Sequence, residues 1–235
     1  MRYTRGHVAL ERALSKLGAA SRKEAQQLVR DGEVTVNGAI VRDPFTAVSP
    51  ERDDIRVRGR RAARRIWRTI AFHKPRGTVT TRRDPDGRRT VFDVLGEEAE
   101  GLIAVGRLDF ATSGLLLLTN DTQLAERLTN PSTGVRRCYI VTVRGEVTDE
   151  SCARLEAGVD DLRAERVMIR KRSRRETHLV VDLTEGKNRE IRRLFKAIGH
   201  EVTRLLRVSF GPITLGTLKP GEWREVGRQE LGVRS

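Results

Sequence analysis

The sequence predicts an α+β protein made of two unequal domains and a short basic linker. Residues 7–58 contain two short amphipathic helical segments followed by brief alternating strands, the pattern of a small compact unit. Residues 59–65 carry four arginines among small residues and have too little apolar surface to bury. Beyond them, apolar runs of strand length mix with helical segments. We therefore predict a first domain at 1–59, a flexible basic linker at 60–65 and a second domain at 66–235.

The charge balance of the chain indicates a polyanionic partner. The 235 residues include 46 Lys and Arg against 32 Asp and Glu, which gives a formal net charge of +14. Cations in such excess suit nucleic-acid phosphates, whose neutralisation releases counterions. An anionic membrane surface is the alternative, but no basic amphipathic helix with bulky aromatic side chains supports it.

Several classes of protein find no support in the sequence. The N-terminus is charged and lacks the apolar core of a signal peptide, and the longest clean apolar run is 115–118, so we expect neither secretion nor a membrane span. Cys138, Cys152 and four scattered histidines have no metal-ligand spacing. We expect a cytoplasmic protein that needs no metal and no cofactor.

The first domain carries clear signals for helix ends and tight turns. Apolar residues at 8–17 predict one helix, and Ser21 with Glu24 forms a capping box that starts a second. Residues 34–36 alternate as a strand does, and Asn37-Gly38 predicts a tight turn because both residues tolerate positive φ. The outward face of the second helix is polar, which by itself is typical of a solvated helix. This face carries Arg22, Lys23, Gln26, Gln27 and Arg30.

The second domain is predicted to contain apolar strands and two helices. We predict strands at 66–72, 102–105, 114–119, 139–143, 179–183 and 202–208 and helices at 121–128 and 188–198. In the second of these helices, Arg192 flanks the apolar stripe and Arg193 falls on the opposite side, at roughly 100° per residue. Arg192 is therefore better placed to reach inward, and Arg193 to lie in solvent or on a phosphate.

One segment, 106–121, combines glycines, an apolar run and a carboxylate. It sets Asp109 in a glycine-bounded loop between two apolar strands, two residues after Arg107. A partly buried carboxylate is costly unless it is paired or hydrogen-bonded. From the residues alone, Asp109 is either a reactive group or a structural one that pins the loop through an arginine, Thr112 or Ser113.

Two parts of the chain resemble known families. Residues 19–25 (AASRKEA), 31–38 (DGEVTVNG) and 54–57 (DIRV) are similar to the S4 RNA-binding module. Residues 106–121 (GRLDFATSGLLLLTND) resemble the catalytic signature of pseudouridine synthases, in the branch that modifies bacterial ribosomal RNA and carries an N-terminal S4 module. The similarity continues through 74–77, 137–141, 185–194 and 204–208.

This resemblance implies an S4 domain followed by a mixed, largely antiparallel-sheet synthase domain. Within the branch, the chain looks most similar to enzymes that act on large-subunit RNA. The implied reaction detaches uracil at the N1–C1′ bond, turns the base in the pocket and rejoins it through C5, without a cofactor or metal. Asp109 falls on the catalytic aspartate of the family, which acts either as a nucleophile or as a base.

The resemblance also implies roles for three residues around Asp109. Arg192 falls on the basic partner of the aspartate, so we predict an ion pair between Arg192 and Asp109 that lines a cleft. Tyr139 falls on the pocket tyrosine, with a core position in its strand as the alternative. Arg107 falls on an arginine that helps to extrude the target base, with a salt bridge to Asp109 or a phosphate contact as alternatives.

We expect a monomer that acts on ribosomal RNA or on a ribosome-assembly intermediate. The predicted RNA contacts are Arg107, Arg22, Lys23, Arg30, Lys74 and Arg193. Charge-rich segments at 82–89 and 170–175 are expected to contact phosphates without reading sequence. The alternatives are a non-catalytic assembly factor, the same chemistry on another RNA and, far less favoured because no Walker-type loop exists, a nucleotide hydrolase.

Overall fold

The computed structural model describes residues 6–62 and 66–232. The chain divides into two compact units, with the boundary between Trp67 and Arg68. This boundary lies close to residue 66, where we predicted the start of the second domain. The last part of the predicted linker, 63–65, lies outside the described residues.

The first unit packs two helices against short strands. Its elements are β1 (Val8–Ala9), α1 (Leu10–Lys16), α2 (Arg22–Arg30), β2 (Val34–Val36), β3 (Ala39–Ile40), β4 (Ala47–Val48), β5 (Ile55–Val57) and β6 (Arg60–Arg61). Strands β3, β2, β5 and β6 form one antiparallel sheet in that order, and β1 pairs with β4. Leu10, Leu14, Val29 and Ile55 are buried in its core.

Two local predictions for this unit are confirmed. The Ser21 hydroxyl accepts a hydrogen bond from the backbone N–H of Glu24 at 3.3 Å, and the Glu24 carboxylate accepts one from the N–H of Ser21 at 2.9 Å. Helix α2 begins at the next residue after Ser21. At the turn between β2 and β3, Asn37 and Gly38 both have positive φ, 52° and 87°.

The prediction of a flexible linker is wrong at residues 60 and 61. Arg60 pairs with Val57 and Arg61 with Arg56, so that both residues extend the small sheet as β6. The ladder uses backbone groups, which a composition of arginine and alanine does not reveal. Residues 60 and 61 therefore belong to the first domain.

The second unit is built on one large mixed sheet. Its elements are β7 (Thr69–Lys74), α3 (Val91–Leu95), β8 (Ile103–Ala104), β9 (Ser113–Thr119), α4 (Thr122–Thr129), β10 (Arg137–Arg144), α5 (Asp149–Ala157), β11 (Arg166–Arg172), β12 (Glu176–Leu183), α6 (Glu190–Ala197), β13 (Val202–Phe210), β14 (Ile213–Thr214) and β15 (Trp223–Glu225). The main strand order is β11-β12-β10-β13-β9-β7-β15, with β8 beside β9 and β14 beside β13. The pairing of β9 with β13 is parallel and the other strand pairings are antiparallel.

One face of this sheet is covered by helices. Val141 of β10, Leu179 of β12 and Leu116 of β9 pack with Leu155 of α5 and Phe195 of α6 in a single buried cluster. The helices cover this face because their own apolar stripes need the same burial. None of the helices in the described ranges combines the length and the apolar character that crossing a membrane requires.

Candidate active site

A cleft of about 260 Å³ lies in the second unit, between the loop before β9, strands β10 and β13, and the segment that leads into α6. Its walls contain Arg107, Asp109, Tyr139 and Arg192. These residues come from three separate parts of the chain: the loop before β9, strand β10 and helix α6. The fold therefore brings the predicted catalytic residues to one cavity.

The loop that carries Asp109 is held by the segment after β7. The Thr80 hydroxyl donates to the carbonyl of Leu108 at 2.9 Å and accepts from its N–H at 3.3 Å. The N–H of Gly77 donates to the carbonyl of Phe110 at 2.8 Å. The backbone is thus fixed on both sides of Asp109.

A close approach of two strands brings this loop to the cleft. Gly114 of β9 pairs with Arg207 of β13 and has a φ of 111°. A Cβ at position 114 would lie 2.3 Å from the carbonyl oxygen of Arg207, so only glycine fits without displacing a strand. Arg207 pairs in turn with Tyr139 across β13 and β10. Gly114 thus allows the Asp109 loop to lie beside the strand of Tyr139.

The predicted ion pair between Asp109 and Arg192 is not formed. Asp109 is exposed, where we expected a half-buried side chain. Within the described part of the chain its carboxylate has no hydrogen bond and no ion pair. Nη1 of Arg192 donates instead to the carbonyl of Val202 at 2.9 Å. The guanidinium is anchored by the backbone, and the solvated carboxylate needs no partner.

Arg192 still acts electrostatically on the cleft. Burial lowers the pKa of Arg192 below its ordinary value, the charge of Arg189 lowers it further, and the charge of Asp109 opposes both. Among the described residues, Nη2 of Arg192 is buried without a hydrogen-bond partner. A buried donor without a partner is costly, and this one is available to a molecule bound in the cleft.

Lys74 is not placed for the RNA contact that we predicted. Its side chain is fully buried, so no atom of it can reach a phosphate. Nζ donates to the carbonyls of Thr112 at 2.8 Å and Pro75 at 3.0 Å. Burial lowers the pKa of Lys74 to about 8, while Asp109 opposes this shift and Arg207 adds to it. Lys74 is a buried support beneath the Asp109 loop.

We expect the stability of the protein to depend on Lys74 between pH 8 and pH 10.5. The pKa is about 8 in the folded state against 10.5 for an unperturbed lysine. Between these values the unfolded chain binds more protons, so the free energy of unfolding rises with pH. Denaturant unfolding of the wild type and Lys74→Met across this range measures the effect. The wild type should gain stability relative to the variant, and a constant difference would contradict the assignment.

Two further arginines of the cleft were not selected as site residues from the sequence. Arg137 and Arg207 are buried, and each guanidinium lies 4.9 Å from the centre of the Phe210 ring. Arg137 donates to three backbone carbonyls and Arg207 to one, and among the described residues Nη2 of Arg207 is buried without a hydrogen-bond partner. The two-residue period of a strand could have identified both arginines. Arg137 lies on the same inward face of β10 as Tyr139, and Arg207 lies on the same inward face of β13 as Leu205.

The mouth of the cleft is shaped by the segment that precedes α6. Oε2 of Glu190 accepts hydrogen bonds from the N–H groups of Gly186 and Lys187, both at 2.9 Å. Burial raises the pKa of Glu190 above its ordinary value, although these hydrogen bonds oppose the shift. Asn188 and Arg189 are exposed on the same segment. Glu190 thus holds a polar, cationic loop at the entrance.

The other predicted RNA contacts are open to solvent. Arg107 is exposed at the cleft. Arg193 is exposed on the outer side of α6, where it forms an ion pair with Asp161 at 2.6 Å. Three more cations are exposed along α2 in the first unit, namely Arg22, Lys23 and Arg30. Their exposure is compatible with RNA binding, which stays a prediction.

Comparison with known proteins identifies the family. A family model described as RNA pseudouridylate synthase matches residues 68–197, more than half of the chain. The chain belongs to this family. A model of the S4 domain matches residues 10–54. The predicted fold, an S4 domain followed by a mixed-sheet synthase domain, is therefore confirmed.

Individual relatives are similar to this chain over nearly its whole length. An RNA pseudouridine synthase of Aquifex aeolicus is 36% identical, with 95% of this chain and 92% of the relative covered. Proteins named ribosomal large subunit pseudouridine synthase B are 33% identical in Bacillus subtilis, covering 94% and 93%, and 41% identical in Escherichia coli K12, covering 92% and 78%.

A solved structure agrees with these relatives. A pseudouridylate synthase of known crystal structure is 26% identical, with a TM-score of 0.64, and the alignment covers 96% of this chain and 98% of the other. Sequence and fold thus agree, and the protein is an RNA pseudouridine synthase.

Proposed function

We propose that this synthase converts a uridine of large-subunit ribosomal RNA to pseudouridine, with Asp109 as the catalytic carboxylate and without a cofactor. The relatives named for the large subunit support the choice of RNA. The free carboxylate of Asp109 in a cleft lined by arginines is the observation that carries the choice of residue. The loop backbone on both sides of Asp109 is held by hydrogen bonds to Thr80 and Gly77, which leaves the carboxylate itself available in the cleft.

The proposed chemistry needs only what the cleft supplies. The N1–C1′ bond breaks, the uracil turns, and a new bond joins C5 to C1′. The C5 proton leaves and N1 gains a proton, so the reaction is an isomerisation without an oxidant or reductant. Asp109 acts either as the nucleophile at C1′ or as a base toward the sugar. In both cases no structural hydrogen bond of Asp109 has to be broken first.

The other cleft residues would bind and orient the nucleotide. Tyr139 is buried in the core cluster and also lines the cleft, so that the part of its ring at the wall would contact the base, and stacking on an aromatic side chain is worth about 1–3 kcal/mol. The free Nη2 of Arg192 would donate to an oxygen of the substrate. Arg107, exposed at the cleft, would support the extruded state of the uridine, which has to leave its stack before reaction.

The partners follow from the same proposal. The exposed cations of α2 would bind RNA through the S4 domain, and ribosomal RNA or an assembly intermediate would be the substrate. We propose that the enzyme works as a monomer, which sedimentation of the free protein measures directly. A dimer in that measurement would contradict this part of the proposal.

Mapping pseudouridine in ribosomal RNA tests the proposed function. In cells that lack this protein, we expect one pseudouridine of the large-subunit RNA to disappear and to return on complementation with the wild type. The loss is expected to be complete, because isomerisation without an enzyme does not occur at a measurable rate. An unchanged map would favour a different RNA substrate or the non-catalytic assembly factor.

A further inference from the structure

The outer edge of the large sheet carries a dense group of unpaired cations. Residues 166–175 contain five exposed cations for which the described part of the chain provides no ion-pair partner: Arg166, Arg170, Lys171, Arg174 and Arg175. The nearby Arg172 pairs with Asp149 at 2.7 Å. The acidic Glu176 contacts His178 at 3.0 Å. We call this group, at 166–175, the hairpin cations.

The backbone directs these side chains away from the sheet. Strand β11 is the edge strand, and its ladder is formed with β12 alone. The register shifts between Ile169 and Lys171, so that Arg170 has no opposite residue. A bulge of this kind twists an edge strand and re-aims its side chains. Arg174 and Arg175 follow in the turn to β12.

Protection of a sheet edge explains only part of this group. Charged side chains on an edge strand prevent pairing with another chain, and this accounts for cations along β11. It does not account for Arg174 and Arg175, because the turn lies beyond the ladder and presents no strand to protect. A row of cations that continues past the strand fits an extended polyanion better.

We propose that the hairpin cations form a second RNA-binding surface, which binds phosphates of the substrate RNA away from the target uridine. This inference rests on the proposed function. The RNA phosphate backbone matches unpaired cations, and such contacts position the RNA without reading its sequence. The surface would therefore set affinity and placement, while the cleft performs the chemistry.

The strand register gives the distance, measured along β11, between the level of Tyr139 and the turn that carries Arg174. Tyr139 pairs with Val181, and Val181 pairs with Val167 of β11. Arg172 is five residues further along β11, roughly 16 Å at about 3.3 Å per residue, and Arg174 lies beyond it. Phosphates bound near the turn therefore belong to nucleotides other than the target uridine. An RNA that spans this distance can contact the cleft and the turn at the same time.

Two variants of equal charge test the proposal. The hairpin variant carries Arg170→Gln, Lys171→Gln and Arg174→Gln. The control variant carries Arg154→Gln, Lys196→Gln and Lys219→Gln, three exposed positions outside the proposed RNA-binding surfaces. Each variant lowers the net charge by three. Affinity for an in vitro transcript of large-subunit ribosomal RNA is measured over a range of salt concentrations.

We expect the slope of log K against log salt to become shallower by about three in the hairpin variant, about one for each lost phosphate contact. At a fixed moderate salt concentration, we expect binding weaker on the order of tenfold. The control variant should keep the wild-type slope.

Two outcomes would overturn the proposal. The first is equal binding by hairpin and control variants, and the second is aggregation of the hairpin variant with an unchanged slope for its monomer. The second result would assign the cations to edge protection. Failure of the proposed function is recognised separately, since the wild type would then form no pseudouridine whatever its affinity.

Discussion

Asp109→Asn is expected to stop pseudouridine formation, with a rate loss of about 10³-fold or more, while the fold and RNA binding are retained. An amide cannot act as a nucleophile or take a proton in place of a carboxylate, and general-base catalysis alone contributes about 10²–10⁴-fold. The side chain is exposed and has no partner in the described part of the chain, so the stability should change by no more than about 0.5 kcal/mol. Single-turnover loss of the C5 proton from RNA labelled at that position measures the rate.

A matched control separates the chemistry of Asp109 from a general effect of charge. Asp160→Asn makes the same change at an exposed site outside the cleft. Asp160 has a φ of 54°, a conformation that asparagine also tolerates. This variant should keep the wild-type rate. If Asp109→Asn reacted at a rate within tenfold of the wild-type rate, our choice of catalytic residue would be contradicted, independently of the rate of Asp160→Asn.

Gly114→Ala is expected to destabilise the protein by about 3 kcal/mol or more. The new Cβ would lie 2.3 Å from the carbonyl oxygen and 2.6 Å from the nitrogen of Arg207. These are backbone atoms of a buried strand, which cannot rotate away as a side chain can. Strands β9 and β13 would have to separate where they pair. Urea unfolding of the wild type and the variant measures the loss.

Gly158→Ala is the control for this substitution. Gly158 has a φ of 112°, close to the 111° of Gly114, but a Cβ there would meet its nearest atom, the carbonyl oxygen of Leu162, at an ordinary 3.5 Å. It should therefore show only the conformational cost of alanine at this φ, about 1–3 kcal/mol. An equal loss in both variants would mean that the φ angle, and not the contact with Arg207, requires glycine at 114.

The clash at Gly114 also has a consequence for catalysis. The Asp109 loop leads directly into β9, and Gly114 is the point at which β9 meets β13. A separation of these strands would move Asp109 relative to Tyr139 and Arg192. We therefore expect Gly114→Ala to lose activity even under conditions in which the variant remains folded.

Sequence-local features were predicted well because their causes lie within a few residues. The capping box of Ser21 and Glu24 and the turn at Asn37-Gly38 depend only on neighbouring backbone groups. The inward position of Arg192 follows from helical periodicity, and the structure places this residue in the cleft wall. The apolar strand at 114–119 was recognised for a similar reason, since its side chains are buried on both faces.

Edge strands were missed because their side chains carry little sign of pairing. We read Arg60 and Arg61 as linker and 170–175 as a charged run, yet β6 and β11 are strands. An edge strand exposes much of its side-chain surface and is held by backbone hydrogen bonds to one neighbour. Whether a neighbour exists depends on the topology of the sheet, which periodicity does not report.

The sequence by itself determined the family of this synthase, its order of domains, and four of the residues that line its cleft, namely Arg107, Asp109, Tyr139 and Arg192. Tertiary structure alone decided how the charged groups of the cleft are used. Lys74 is buried under the Asp109 loop instead of facing RNA, and Arg192 binds a backbone carbonyl instead of Asp109. A motif specifies which side chains meet, but the partner of each charge depends on backbone carbonyls and burial contributed by distant strands, and these exist only once the sheet has formed.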